Sequence, residues 1–176
     1  VCEQLDRTLG GPDLDPNTGL TVPRRSLYFR SAKEKKVTFL AMFDSANVVE
    51  CYRRSESIVP QQALAMTNSP LTQAQARLLT QRLTAEVGVE STPELNARFV
   101  DVAFQQVLAR PATTVEKQAC LEFLVAQTQR FSDPKSLTSF NAGVDTHVPP
   151  AAVPHLRARE NLVHVLLNHN DFVTIR

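Results

Sequence analysis

The sequence predicts a mainly α-helical protein, a helical bundle of about four main helices with an irregular N-terminal arm. Apolar residues recur three and four positions apart through most of the chain after residue 60, the spacing of one helix face. Two capping-box motifs stand immediately before such stretches, and turn-forming glycine and proline residues cluster before residue 24. The 176 residues suffice for one domain with its own hydrophobic core.

We expect residues 1–176 to form this single helical domain in four parts, as a fragment of a larger multidomain protein. The parts are an irregular arm at 1–36, a helical core at 60–130, a long proline-containing link at 131–154, and a last helix with an extended tail at 155–176.

The segments before residue 60 have weaker signals. Residues 2–9 are expected to form a short helix before the Gly-Gly-Pro turn, and residues 26–30 are expected to be extended. The apolar segment at 37–45, VTFLAMFDS, predicts a short buried helix, although a strand of this length would have the same pattern. Residues 47–58 are polar and predict a loop.

Proline and glycine mark the boundaries of the next two helices. Pro60 opens the first, because its missing N–H would have no partner in the first turn anyway, and that helix ends at Asn68-Ser69-Pro70. The second runs over 71–87 and stops at Gly88. Its apolar stripes consist of Leu71, Ala74, Leu78, Leu79, Leu83 and Val87.

Two capping boxes predict the starts of two further helices. The first, Ser91 to Glu94, precedes a helix that is apolar around most of its circumference and is therefore expected to be the central one. That helix ends at Arg110-Pro111, because a residue before proline disfavours helical geometry. The second box, Thr113 to Glu116, starts a helix to about residue 130. Its expected buried face is Val115, Ala119, Phe123 and Ala126, with Cys120 as a core residue.

The C-terminal part follows the 131–154 link. A last helix over 155–168 is expected to bury five apolar residues: Leu156, Leu162, Val163, Leu166 and Leu167. Residues 171–175 look extended, and we expect 172–175 to pair with 27–29 as a short two-stranded element.

Charge and composition exclude several classes of protein. The net charge of +1 and the lack of tryptophan argue against nucleic acid as a partner, and no apolar run is long enough for membrane insertion. Cys2, Cys51 and Cys120 form no C-x-x-C pattern, which disfavours thioredoxin-like chemistry and covalent haem attachment within this chain.

The sequence lacks the common motifs for catalysis, phosphate binding and zinc binding. The sequence contains no G-x-S-x-G and no glycine-rich phosphate loop, and its four histidines lack zinc-ligand spacing. We therefore predict no catalytic, cofactor-binding or metal-binding residue in this chain. Two arginine pairs and two amides suggest either an anion site or, as we favour, residues that hydrogen-bond loops in place. This candidate cluster is Arg24, Arg25, Asp44, Arg53, Arg54, Gln62 and Asn68.

Several motifs, taken in order, resemble one known family. They are RRSLY at 24–28, FD at 43–44, CYRR at 51–54, VPQQAL at 59–64 with Asn68, the LARP motif at 108–111 and the LLNHNDF motif at 166–172. Together they resemble the C-terminal domain of unknown function of planctomycete-type, cytochrome-c-associated large secreted proteins. The resemblance covers about residues 10–173 except the proline-rich link. Asp171 departs from the family pattern, which more often has Glu there.

The resemblance implies a cellular context rather than a reaction. It implies upstream domains of the same polypeptide as partners, haem in a separate upstream module and none in this chain, and a periplasmic or cell-envelope location. Our first hypothesis is a non-catalytic helical accessory or interaction module of such a protein. The alternative is part of a hydrolase or polysaccharide-processing enzyme, whose site would use Asp44, Arg53 and Arg54 and be completed by the missing upstream region.

Overall fold

A computed structural model describes residues 5–43, 45, 60–133, 135, 137 and 148–173. Over these residues the protein is mainly helical and has no strand, which confirms the predicted fold class. The contacts divide the chain into two compact units, here called the N-terminal unit (Cys2–Leu71) and the C-terminal unit (Thr72–Arg176). None of the described helices is long and apolar enough to span a membrane.

The arm of the N-terminal unit is built from turns and isolated bridges. It contains two 3₁₀ turns, Pro16–Thr18 and Ser26–Tyr28. A parallel bridge joins Leu14 to Phe29, with the Leu14 N–H donating to the Tyr28 carbonyl at 2.8 Å. The expectation of an extended segment at 26–30 was therefore wrong for its first three residues, where the chain forms a turn.

The short helix expected at 2–9 was also wrong over the residues that are described, 5–9. The Asp6 N–H donates to the Pro23 carbonyl at 2.7 Å, and the Asp6 carboxylate accepts the Thr8 N–H at 2.9 Å. Such local side-chain bonds compete with helical hydrogen bonding.

Two helices follow in the N-terminal unit, α1 (Thr38–Met42) and α2 (Pro60–Asn68). The segment 37–45 therefore contains the predicted helix and not the alternative strand. The prediction that this helix is buried was wrong, because α1 buries no residue and Val37 before it is buried. Helix α2 begins at Pro60, as its sequence predicts.

The C-terminal unit holds the main core. Its helices are α3 (Pro70–Val87, apart from the first two residues), α4 (Pro93–Leu108), α5 (Thr114–Ser132), α6 (Pro154–Leu167) and α7 (Asn170–Val173). Helix α4 contacts α5, α6 and α7, as expected for the central helix. Its buried residues are all apolar: Phe99, Val100, Ala103, Phe104, Val107 and Leu108.

The residues predicted to end α3 and to cap α5 do so, and the cap of α4 lies one residue later than predicted. Gly88 ends α3 with a φ of +124°, a backbone angle that favours glycine. Thr113 and Glu116 form the predicted capping box of α5. The cap of α4 is Thr92 rather than Ser91, because Pro93 occupies the first helical position and the residue before it must be the cap.

The predicted buried face of α5 was wrong. Val115 is 80% exposed, Ala119 and Ala126 are exposed, and Leu124 is the buried residue of this helix. Helix α5 packs mainly on α6, and the contact includes polar residues that an apolar pattern cannot reveal: Asn161 Nδ2 donates to Gln127 Oε1 at 3.2 Å. Cys120, expected in the core, is only partly buried.

The C-terminal expectations also needed correction. Helix α5 extends to Ser132 and α6 starts at Pro154, so the link is shorter than predicted at both ends. The tail predicted as extended is helical through Val173, and Thr174–Arg176 lie outside the described residues. Phe172 and Val173 are helical and Leu27 and Tyr28 lie in a 3₁₀ turn, so these residues lack the extended backbone that the expected pairing of 172–175 with 27–29 requires.

Candidate functional site

The LARP and LLNHNDF motifs meet at Arg110 in the C-terminal unit. Arg110 lies just after α4, and its guanidinium donates to both carboxylate oxygens of Glu116 at 2.7 and 3.0 Å. It also donates through Nε and Nη2 to Asp171 Oδ2 at 3.0 and 2.8 Å. The guanidinium carbon lies 5.5 Å from the centre of the Phe104 ring. One side chain thereby joins α4, the first turn of α5 and α7.

The electrostatics of this cluster follow from its hydrogen bonds. The bonds from Arg110 and then those from Thr113 lower the pKa of Glu116 to about 2. The same carboxylates, Glu116 first, raise the pKa of Arg110. His169 Nδ1 accepts the Asp171 N–H at 3.1 Å, which fixes the turn between α6 and α7. We call Arg110, Glu116 and Asp171 the ion cluster; its four short bonds hold three chain segments together.

A second arginine is buried completely. Arg159 on α6 has no exposed surface, and its Nη1 donates to the Gly88 carbonyl at 2.8 Å. Its Nη2 donates to the Glu90 carbonyl at 2.8 Å and to Asn96 Oδ1 at 3.1 Å. The guanidinium lies 4.9 Å from the Phe99 ring centre. Arg159 therefore satisfies carbonyl groups at and beyond the C-terminus of α3, while burial lowers its pKa.

Arg24, a described member of the predicted candidate cluster, makes several contacts within the arm. Its Nη2 donates to the Thr8 and Gly10 carbonyls at 2.6 and 3.0 Å, and its guanidinium carbon lies 3.9 Å from the Tyr28 ring centre. Asp6 Oδ2 lies 3.6 Å from Arg24 Nε. These contacts connect the two halves of the arm.

The other predicted members are dispersed or undescribed. Arg25 and Asn68 are exposed, and Gln62 Nε2 donates to the Met42 carbonyl at 3.0 Å, joining α2 to α1. Asp44, Arg53 and Arg54 lie outside the described residues. The described bonds of Arg24 lie within the arm and the bond of Gln62 joins α2 to α1, and the prediction of a common cluster stays a prediction.

The C-terminal unit also contains a polar cleft that the sequence interpretation missed. It is a cavity of about 290 Å³ between α3, α5, α6 and the segment before α6. Its charged lining consists of Arg77, Arg157 and Glu160. The available signal was a polar stripe on α6 at 157, 160, 161 and 164, three and four residues apart beside the apolar face.

The three charged side chains of the cleft are held differently. Arg77 Nη1 donates to the Val148 carbonyl at 2.5 Å, and burial lowers the pKa of Arg77. Both Glu160 oxygens accept the Ala151 N–H at 3.1 Å, and burial raises the pKa of Glu160. Arg157 lies against the Phe131 ring, with its guanidinium carbon 4.6 Å from the ring centre.

Within the described ranges, no three His, Cys, Asp or Glu side chains are grouped as a metal site would require.

Comparison with known proteins gives one match. A family model described as PSD1, protein of unknown function (DUF1553), matches residues 1–124. No curated protein and no solved structure matches the chain.

Proposed function

The chain belongs to the PSD1 family of proteins of unknown function (DUF1553), and from this premise we propose that it is a non-catalytic helical accessory module of a larger cell-envelope protein. In this proposal the module contacts upstream domains of the same polypeptide, one of which is a c-type cytochrome module. Haem would then be bound by that module and not by this chain. The location would be the periplasm or the cell envelope.

The proposal rests on the hydrogen bonds that Arg110 donates to Glu116 and Asp171. Arg110 of the LARP motif binds Asp171 of the LLNHNDF motif and also binds Glu116, so these charged side chains join three chain segments. A guanidinium with both carboxylates in place has few donors left for a substrate. Arg159 supports the same interpretation, because both of its terminal nitrogens donate to backbone carbonyls.

The haem prediction is tested by absorption spectroscopy. We expect residues 1–176, purified after expression with a c-type cytochrome maturation system, to show no Soret band. A longer polypeptide that includes the region preceding this chain should show one. A Soret band from residues 1–176 alone, or none from the longer polypeptide, would contradict the proposal.

The enzymatic alternative is tested in the same longer polypeptide with D44N and R54Q. We expect these substitutions to leave any polysaccharide-hydrolysing activity of the polypeptide unchanged, with R7Q, at an exposed arginine of the arm outside the candidate cluster, as the control. If D44N or R54Q abolishes such an activity while the circular dichroism spectrum is preserved, the hydrolase hypothesis replaces the accessory module.

A further inference from the structure

We propose that the cleft between α3, α5 and α6 binds a small hydroxy-carboxylate. The proposal goes beyond an accessory role, because it assigns a ligand to a cleft whose lining does not include the ion cluster. Its cavity of about 290 Å³ is at the small end of the range for ligand sites, so the ligand is a small molecule.

The carboxylate is inferred from Arg157. The guanidinium carbon lies over the Phe131 ring, 4.6 Å from its centre, and within the described residues the Arg157 side chain has no hydrogen-bond acceptor. A planar guanidinium with free donors pairs with a carboxylate through two parallel hydrogen bonds. Contact with the ring holds the side chain in place before a ligand arrives, and so reduces the entropy lost on binding.

The charge of the ligand is inferred from the neighbours of Arg157. Two arginines and one glutamate line the cleft, so its formal charge is +1 when Glu160 is ionised. A single carboxylate balances this charge. A phosphate or sulfate dianion would overcompensate it and would be repelled by the Glu160 carboxylate. The Ala151 N–H holds that carboxylate in the cleft wall.

The hydroxyl groups of the ligand are inferred from two amides in the lining, Gln73 and Asn161. Asn161 uses its Nδ2 for Gln127, and its carbonyl oxygen accepts no bond from another described residue. Gln73 likewise has no hydrogen-bond partner in the described part of the chain. Both amides are partly shielded from water, and an amide pairs well with a group that both donates and accepts, which a hydroxyl group does.

Isothermal titration calorimetry with sodium D-gluconate tests the proposal. Sorbitol, which has the hydroxyl groups without the carboxylate, and sodium sulfate serve as comparison ligands. We expect saturable gluconate binding with a Kd of roughly 0.1–1 mM, and binding of sorbitol and sulfate at least about tenfold weaker.

Two variants locate the binding. R157Q should weaken gluconate binding by about tenfold or more, and Q73L should weaken it with the arginines intact. R98Q, on an exposed position of α4, should bind as the wild type does. Circular dichroism of each variant establishes that it is folded. The proposal is overturned if gluconate does not saturate, if sulfate binds equally well, or if folded R157Q and Q73L both bind as tightly as R98Q.

Discussion

Replacing Arg159 with methionine tests whether a fully buried guanidinium stabilises the C-terminal unit. Arg159 has no exposed surface and no carboxylate among its hydrogen-bond acceptors, which are two backbone carbonyls and the Asn96 side chain. Methionine is similar in length and flexible enough to fill the space, so the cavity contribution is small. What the substitution removes is the set of hydrogen bonds.

The magnitude follows from those three bonds. A hydrogen bond to a charged group contributes about 1.5–3 kcal/mol, and water replaces part of this where the carbonyl belongs to an exposed residue such as Glu90. The Gly88 and Glu90 carbonyls would lose their Arg159 donor. Relief of the desolvation of the guanidinium offsets part of this loss. We therefore expect R159M to lower the free energy of unfolding by about 2–4 kcal/mol.

The assay is equilibrium unfolding in urea, followed by circular dichroism at a helix-sensitive wavelength. R98M, at an exposed position of α4, is the control and should change stability by no more than about 0.5 kcal/mol. R159K keeps the charge but has a single nitrogen in place of the guanidinium, and it should also be destabilised. If R159M is as stable as R98M, Arg159 does not stabilise the helices through its carbonyl bonds.

Three further predictions concern helix ends and acid stability. G88A should lose about 2 kcal/mol, because its φ of +124° strains an L-residue and an added Cβ would lie 3.3 Å from Leu95 Cδ1; thermal unfolding measures it. T113A removes the capping box of α5 and should lose about 1 kcal/mol in urea unfolding; no change would contradict the observed cap. The pKa of Glu116 is about 2 when folded, below its ordinary 4.5, so its stabilisation is complete above pH 4.5 and is lost as the pH falls through 2. E116Q should therefore flatten the pH dependence of unfolding in this window, and an unchanged slope would refute the assignment.

The predictable part of the fold was encoded locally. Pro60, Gly88 and the Thr113 capping box act on their own helix ends through backbone groups a few residues away, so their positions in sequence suffice. The apolar circumference of α4 likewise indicated the central helix, because a helix covered on several sides needs apolar residues on all of them.

The part that was missed depends on contacts between distant residues. Arg110 and Asp171 are 61 positions apart, and Arg159 bonds to the Gly88 carbonyl 71 positions away. An arginine in an amphipathic helix normally indicates the solvent face, and nothing nearby in sequence shows that Arg159 is buried. The buried face of α5 was misassigned for a related reason, since polar Gln127 contributes to its contact with α6.

The most direct test of whether Arg110 holds α7 and α5 to the end of α4 is amide hydrogen exchange of α7. The exchange is compared between R110Q and R98Q. The Phe172 and Val173 amides donate to the His169 carbonyl, and the ion pair of Arg110 with Asp171 connects their helix to the segment just after α4. We predict several-fold faster exchange of these amides in R110Q and unchanged exchange in α3. Equal exchange of α7 in the two variants would contradict the structural role assigned to Arg110.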